Sequence, residues 1–315
     1  LAPGETQEVL LCFDRYSLAS YDDTGLVQKS AYVLEKGTYR FFIGNGLQNL
    51  AELEYTLDLE EDQVVQQLRA LMAPTALPKR LRADGSYEEL PVSAPYDLNE
   101  SIIPKMIPGT EEGIAPATRS RPHWGLFKPY NGRPLIDVAN GEITLEEFMA
   151  QLSDEELLHL LGGQPNEGVS NTFGIGNLPE YGVPNILTAD GPAGIRINPV
   201  TGIRTTAWPC GTMLSSTWNP EIVSQVGEAA GRELKENNLA IWLAPALNIH
   251  RNPLCGRNFE YYSEDPLLAG LIGAAMIRGV QSNGVSACPK HFACNNQETN
   301  RKHSDSRVSE RAMRE

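Results

Sequence analysis

The sequence predicts an α/β protein in which a β-rich first part leads into strand–helix units that build a parallel sheet. Three observations predict it. Three short apolar runs, at residues 184–188, 239–245 and 285–289, alternate with helical stretches that begin at Asn219-Pro220 and Asp265-Pro266. Such alternation is the pattern of a parallel sheet. Each apolar run exits into polar and charged residues, which is where parallel α/β proteins place their chemistry. Before all of this, residues 1–57 carry alternating β-type patterning with turn residues between.

In chain order, Val9 to Asp14 is a β-rich run after Pro3-Gly4. Ala31, Val33, Tyr39, Phe41 and Ile43 share one parity across Glu35-Lys36-Gly37. That predicts a hairpin with one buried face, closed by Asn45-Gly46. These strands are too few for a sandwich with its own core, so further strands are expected before Leu1. In residues 58–92, Val64, Val65, Leu68, Leu71 and Met72 recur at helical spacing until Pro74 and Pro78 stop them. Residues 93–134 are rich in Pro, Gly, Ser and Thr with no sustained period, and predict a linker.

After Leu135 the character changes. Thr144-Leu145-Glu146-Glu147 and Ser153-Asp154-Glu155-Glu156 are capping boxes for two helices ending at Gly162-Gly163. The helix opened by Asn219-Pro220 places Ile222, Val226, Ala230 and Leu234 on one face. The helix opened by Asp265-Pro266 turns Leu268, Leu271, Ile272 and Ala275 inward. Ser309-Glu310-Arg311-Ala312 reads as the first turn of a further helix. Three units cannot close an eight-stranded barrel, so the remaining strands are expected beyond Glu315.

Composition narrows the function classes. Of 315 residues, 41% are hydrophobic and 21% charged, which suits a globular chain with a sizeable core. A net charge of −14 argues against a nucleic-acid partner, which needs a basic footprint. No apolar run reaches membrane-span length, so no membrane partner is expected. Cys12, Cys210, Cys255, Cys288 and Cys294 have neither zinc-ligand nor redox-motif spacing. Reduced thiols favour a reducing, cytoplasmic setting. His250, His291 and His303 with Cys294 fit no standard zinc pattern either, so no metal is expected.

The strand exits carry the chemistry. The first leads into Asp190-Gly191-Pro192, with Arg196 six residues on. The second leads into Asn248, His250 and Arg251, then Gly256-Arg257, and the third straight into Lys290-His291. In a parallel barrel these ends converge on one face. An Asp among Arg, Lys and His suits a neutral, polyhydroxylated ligand. The carboxylate accepts from adjacent hydroxyls while the cations donate to hydroxyl oxygens. The neighbouring cations also hold the Asp ionised. Taken singly, Asp-Gly-Pro is a turn, Lys290-His291 a surface pair, Arg257 with Glu260 an ion pair beneath a loop, and Arg301 part of a solvated run. Glu264-Asp265 reads as a helix cap, and Tyr261 and Tyr262 as packing.

The series Asp190-Gly-Pro-Ala-Gly-Ile-Arg196, Gly256-Arg-Asn-Phe-Glu-Tyr-Tyr-Ser-Glu-Asp-Pro266 and Lys290-His-Phe-Ala-Cys-Asn-Asn-Gln-Glu-Thr-Asn-Arg301 resembles glycoside hydrolase family three, in its β-glucosidase branch. The resemblance covers roughly residues 135–315. Residues 1 to about 57 are similar to the end of that family's fibronectin type III-like domain, through Val33-Leu34-Glu35-Lys36-Gly37-Thr38-Tyr39 to Gly44. The order, with the fibronectin-like part first, resembles circularly permuted bacterial members. The implied domains are residues 1–92, the C-terminal part of a fibronectin type III-like sandwich with an extension; 93–134, a linker; and 135–315, the N-terminal part of a (β/α)₈ TIM barrel.

The resemblance implies a retaining β-glycosidase that removes terminal non-reducing β-D-glucosyl residues from a β-glucoside or cello-oligosaccharide, with no cofactor. Asp190, Arg196, Arg257, Lys290, His291 and Arg301 would contact the sugar. The family's nucleophilic Asp lies in a Ser-Asp-Trp-type motif absent from this chain and is expected after Glu315. Its acid/base Glu is expected before Leu1, so the chain taken alone is expected to be inactive. Ser304-Asp305-Ser306 follows no apolar strand and is not that motif. Alternatives are a β-xylosidase or α-arabinofuranosidase of the same family, or a non-catalytic sugar-binding relative. The N-acetylhexosaminidase branch carries Lys-His-x-Pro-Gly-His where this chain has Lys290-His-Phe-Ala-Cys-Asn295. Homo-oligomerisation is left open.

Overall fold

The computed structural model describes residues 2–92 and 132–315. They form two compact units, one of residues 2–92 with Arg307–Glu315, the other of residues 132–306. Most of the expected linker, residues 93–131, lies outside the described residues.

In the first unit, strands β1 (Ser20–Asp22), β2 (Ala31–Leu34) and β5 (Gln63–Gln67) form an antiparallel sheet in the order β1-β2-β5. Strands β3 (Gly37–Gly44) and β4 (Leu50–Leu59) form a hairpin, as do β6 (Lys79–Leu81) and β7 (Tyr87–Glu89). The C-terminal helix Glu310–Arg314, which the sequence places with the later part of the chain, packs here. Ser309 caps it, and Glu310 accepts from the Tyr21 hydroxyl at 3.1 Å.

Three expectations for this unit are corrected. No hairpin forms across Glu35-Lys36-Gly37: β2 pairs with β1 and β5, while β3 pairs with β4 around Asn45-Gly46. Shared parity reports a face and not a partner, and Gly37, at φ +139°, lets the chain leave one sheet for another. The helical spacing around Val64 is a strand, because two β-branched valines and a waiting β2 edge outweigh the periodicity. The run from Val9 to Asp14 forms no strand, and its apolar residues lie exposed with no strand partner among the described residues.

The second unit opens with helices α1 (Leu135–Ala139), α2 (Leu145–Ala150) and α3 (Asp154–Leu161). Both expected capping boxes are present, on Thr144 with Glu147 and on Ser153 with Glu156. The apolar run at 184–188 divides in two. Strand β9 (Val183–Ile186) pairs antiparallel with β8 (Ile175–Leu178), and only β10 (Thr188–Ala189) joins the parallel sheet. After helix α4 (Gly211–Ser215) come the long helix α5 (Pro220–Glu236), strand β11 (Ile241–Trp242), helix α6 (Pro266–Gln281) and strand β12 (Ser286–Ala287). The sheet runs β10-β11-β12, all parallel, with a further parallel bridge from Ala246 to Lys290.

Asn219 and Asp265 cap α5 and α6 through side-chain acceptors at Ile222 and Leu268 N–H. Each helix buries a face turned slightly from the expected one. On α5 the buried set is Val223, Gly227, Ala230, Gly231 and Leu234, and Ile222 is exposed. On α6 it includes Ala269, Ile272, Gly273, Ala275 and Met276, and Leu271 is exposed. Counting large apolar residues misses glycines through which two helices approach. A Cβ on Gly227 would sit 2.6 Å from the Met276 carbonyl oxygen, and one on Gly231 2.7 Å from that of Val280. The core around Trp242, Val223, Leu234, Ile272 and Met276 holds the two helices on the sheet. No helix of the described residues is long and apolar enough to cross a membrane.

Candidate functional site

Each strand end of the parallel sheet delivers one part of the site. After β10 the chain turns at once: the Arg196 N–H donates to the Asp190 carbonyl at 2.8 Å, and the Gly194 N–H to Gly191 at 3.0 Å. Gly191 and Gly194 have φ of +105° and +142°. A Cβ on Gly194 would lie 2.6 Å from the Thr206 carbonyl oxygen, so the tight loop requires glycine there. The buried Trp242 indole donates to the Gly191 carbonyl at 3.1 Å, and Asn171 accepts from the Asp190 N–H at 3.0 Å. Asp190 is thus presented on a braced turn.

Lys290, a hundred residues on, donates its ammonium to Asp190 Oδ1. Arg196 Nη1 lies 3.6 Å from Oδ2. Burial pushes the Asp190 carboxyl up, but the Lys290 ammonium, the Gly191 N–H and the Arg196 guanidinium outweigh it. The carboxyl lies below its ordinary value and stays ionised at neutral pH.

The second group is continuous with the first through the Lys290-His291 peptide. The Arg257 guanidinium pairs with Glu260, which is 4% exposed. Arg257, His291, Asn295 and Arg301 line a depression of about 540 Å³ together with Phe292 and Cys294. Burial and the nearby Arg257 and Lys290 cations hold the His291 imidazole below its ordinary value, so it is neutral near pH 7. Its Nδ1 lies 3.1 Å from the Tyr261 hydroxyl. Arg196 lines a separate depression of about 410 Å³ with Asn171, Thr205 and Thr206. Arg196 and Arg301 are the most exposed of the six, and Arg301 reaches Glu298 at 3.3 Å.

The structure therefore sets Arg196 and Lys290 each against Asp190, and places Arg257, His291 and Arg301 around a depression linked to that group through the Lys290-His291 peptide. Several supporting roles were not read from the sequence, although Asn248 was placed at the second strand exit. The nearly buried Asn248 accepts from the Cys294 N–H at 2.8 Å and donates to the Asn295 carbonyl at 2.9 Å, which pins the loop after Lys290. Asn295 donates to Glu298 at 2.7 Å and to the Tyr261 hydroxyl at 2.8 Å. The Asn-x-x-Glu spacing was the visible signal for that pair. Tyr261 and Tyr262 are packing residues, as expected, and Asp265 is a cap. Among the described residues no group of three or more His, Cys, Asp or Glu is placed to hold a metal ion.

The loops that leave the parallel sheet thus carry one carboxylate, four cations and a neutral imidazole. Residues 177–315 match the Glycosyl hydrolase family 3 N terminal domain. Along its whole length the chain is 54% identical to Beta-glucosidase A of Butyrivibrio fibrisolvens and 36% identical to a Beta-glucosidase of Ruminococcus albus. It spans 39% and 32% of those proteins. The crystal structure of a β-glucosidase from Paenibacillus barengoltzii superposes with a TM-score of 0.76 at 38% identity, over 95% of this chain and 33% of that one.

Proposed function

We propose that this chain supplies the sugar-binding side of a retaining β-glycosidase acting on terminal non-reducing β-D-glucosyl residues of β-glucosides or cello-oligosaccharides. One observation carries the proposal. Asp190 is held ionised by Lys290 and Arg196, and His291, the residue after Lys290, lines a depression with Arg257 and Arg301. A carboxylate with free lone pairs accepts from two neighbouring hydroxyls of a pyranose, and the cations donate to others. The β-glucosidase names of the full-length relatives support the same substrate class.

In this proposal all six residues bind and orient the glycone. The two reacting carboxyl groups, which in a retaining enzyme stand about 5–5.5 Å apart, belong to other parts of the longer protein. The βα units are the start of a (β/α)₈ barrel, residues 1–92 belong to a fibronectin-like sandwich, and the setting is reducing and cytoplasmic.

The test is turnover by the full-length protein on nitrophenyl β-glucoside, β-xyloside and α-arabinofuranoside. The glucoside is expected to be the preferred substrate. Asp190→Ala is expected to lower kcat/KM by at least about 100-fold, because the hydroxyl contacts go and Lys290 loses its partner. Wild-type rates from that variant, or no release from the glucoside by the unmodified protein, would overturn the proposal.

A further inference from the structure

We propose that Tyr261 is a positioning residue that places the proton of His291 on Nε2, through a hydrogen-bond network in which Glu298 fixes the Asn295 amide and Asn295 fixes the Tyr261 hydroxyl. It deepens the sugar-binding proposal, on which only its ligand class rests.

The chemistry of each member fixes the direction of the next. Glu298, held in carboxylate form by the Asn295 amide and nearby Arg257 and Arg301, can only accept. The Asn295 atom 2.7 Å from its Oε1 is therefore the amide nitrogen, and the amide orientation is settled. The other hydrogen of that nitrogen points to the Tyr261 hydroxyl oxygen at 2.8 Å. Having accepted there, the hydroxyl has one hydrogen to place. Tyr261 is fully buried, packed with Ala246 and Cys255, and its other hydrogen-bond neighbour is His291 Nδ1 at 3.1 Å. An N–H at Nδ1 would leave the hydroxyl hydrogen buried without an acceptor, which is costly. Nδ1 accepts, so the neutral ring carries its hydrogen on Nε2.

Nε2 makes no hydrogen bond among the described residues, while the His291 ring lines the 540 Å³ depression. The ring stands edge-on to Tyr261, with an interplanar angle of 83° and centroids 6.2 Å apart. The relay thus presents one uncharged, directed donor beside the Arg257 guanidinium in that depression. A hydroxyl oxygen of the ligand accepts it. The opposite tautomer would present a lone pair and select a hydroxyl hydrogen instead.

The test reads the tautomer without ligand. Full-length protein is labelled with [¹⁵N]histidine, and the His291 signals are identified by their loss in His291→Gln. Multiple-bond ¹⁵N–¹H spectra are expected to show the Nε2–H form in the unmodified protein. In Tyr261→Phe the Nδ1–H form is expected to gain at its expense. Asn295→Ala, a change at the cavity wall, is expected to do the same by freeing the Tyr261 hydroxyl to turn away. Both variants are expected to weaken glucose as an inhibitor by about three- to tenfold. An Nδ1–H ring in the unmodified protein would sink the relay, as would an unchanged tautomer in a folded variant. Failure of glucose to inhibit the unmodified protein would instead count against the sugar-binding proposal, and the spectra would still decide the relay.

Discussion

At Asp190 two opposed effects meet, and their balance is measurable. Burial favours the neutral acid, while the Lys290 ammonium favours the carboxylate and prevails. A carboxyl lowered in the folded state contributes stability above its unfolded value, near 3.9, and loses it as pH falls through the lower folded value. Lys290→Met removes the main lowering contact and keeps the burial. The expected outcome is an acid limb of glucose inhibition that moves toward neutral pH, read from the pH dependence of the inhibition constant in both full-length proteins. An unmoved limb would mean that Lys290 does not control Asp190. The charged members of this site were legible because strand exits full of Asp, Arg, Lys and His are rare and topology brings them together. The neutral members were not. Asn248 and Asn171 act through hydrogen bonds to backbone groups and Asn295 through bonds to a hydroxyl and a carboxylate, and residue type alone does not distinguish such an Asn from a turn residue. Tyr261 was legible as a packed ring, but the use of its hydroxyl depends on a partner 30 residues away.

The long helices show how element existence can be read while the buried face is misread. Asn219-Pro220 and Asp265-Pro266 mark both starts, because cap and proline chemistry is local. The contact between α5 and α6 is not local, and glycine makes it. A Cβ on Gly279 would collide with the Ser224 carbonyl oxygen and lie 2.9 Å from the Glu228 nitrogen, both backbone atoms that cannot swing aside. Helix propensity alone favours alanine over glycine by about 1 kcal/mol. Overpacking against backbone costs about 1–3 kcal/mol. Gly279→Ala is therefore expected to lower the thermal midpoint of the full-length protein. On the exposed side of the same helix, Gly270 has open space where its Cβ would go. Gly270→Ala is expected to raise the midpoint through propensity, by up to about 1 kcal/mol. Calorimetry of the pair checks the sign at each position. Equal shifts from both would show that the helices do not meet through Gly279. The same insensitivity of periodicity to partners explains the first unit, where Val64 and Val65 fit a helix wheel yet pair with β2.

Across the whole molecule, a β-rich part followed by βα units was legible because turn chemistry and capping are written locally. Strand pairing was less so, since a two-residue strand such as β10 or β12 has no period to detect. These short strands matter for solution behaviour. Among the described residues, β10 and β12 each pair on one side only, and the β3–β4 pair is a lone two-stranded ribbon. Unpaired edges offer backbone donors and acceptors to other chains. Val200, Trp218, Leu254 and Phe292 of the second unit are each more than 75% exposed, so apolar surface accompanies the open edges. The relatives that match along this whole chain are about two and a half to three times its length. If their remaining strands cover these edges, as the barrel proposal requires, residues 1–315 expressed alone should bind the dye ANS, elute as large species and hydrolyse no aryl glucoside. The full-length protein should bind little dye and elute at a defined size. Light scattering with size exclusion and dye fluorescence on the two proteins makes the comparison. A monodisperse short chain with a sharp thermal transition and no dye binding would show that its edges need no further strands, and the barrel proposal would lose its physical basis.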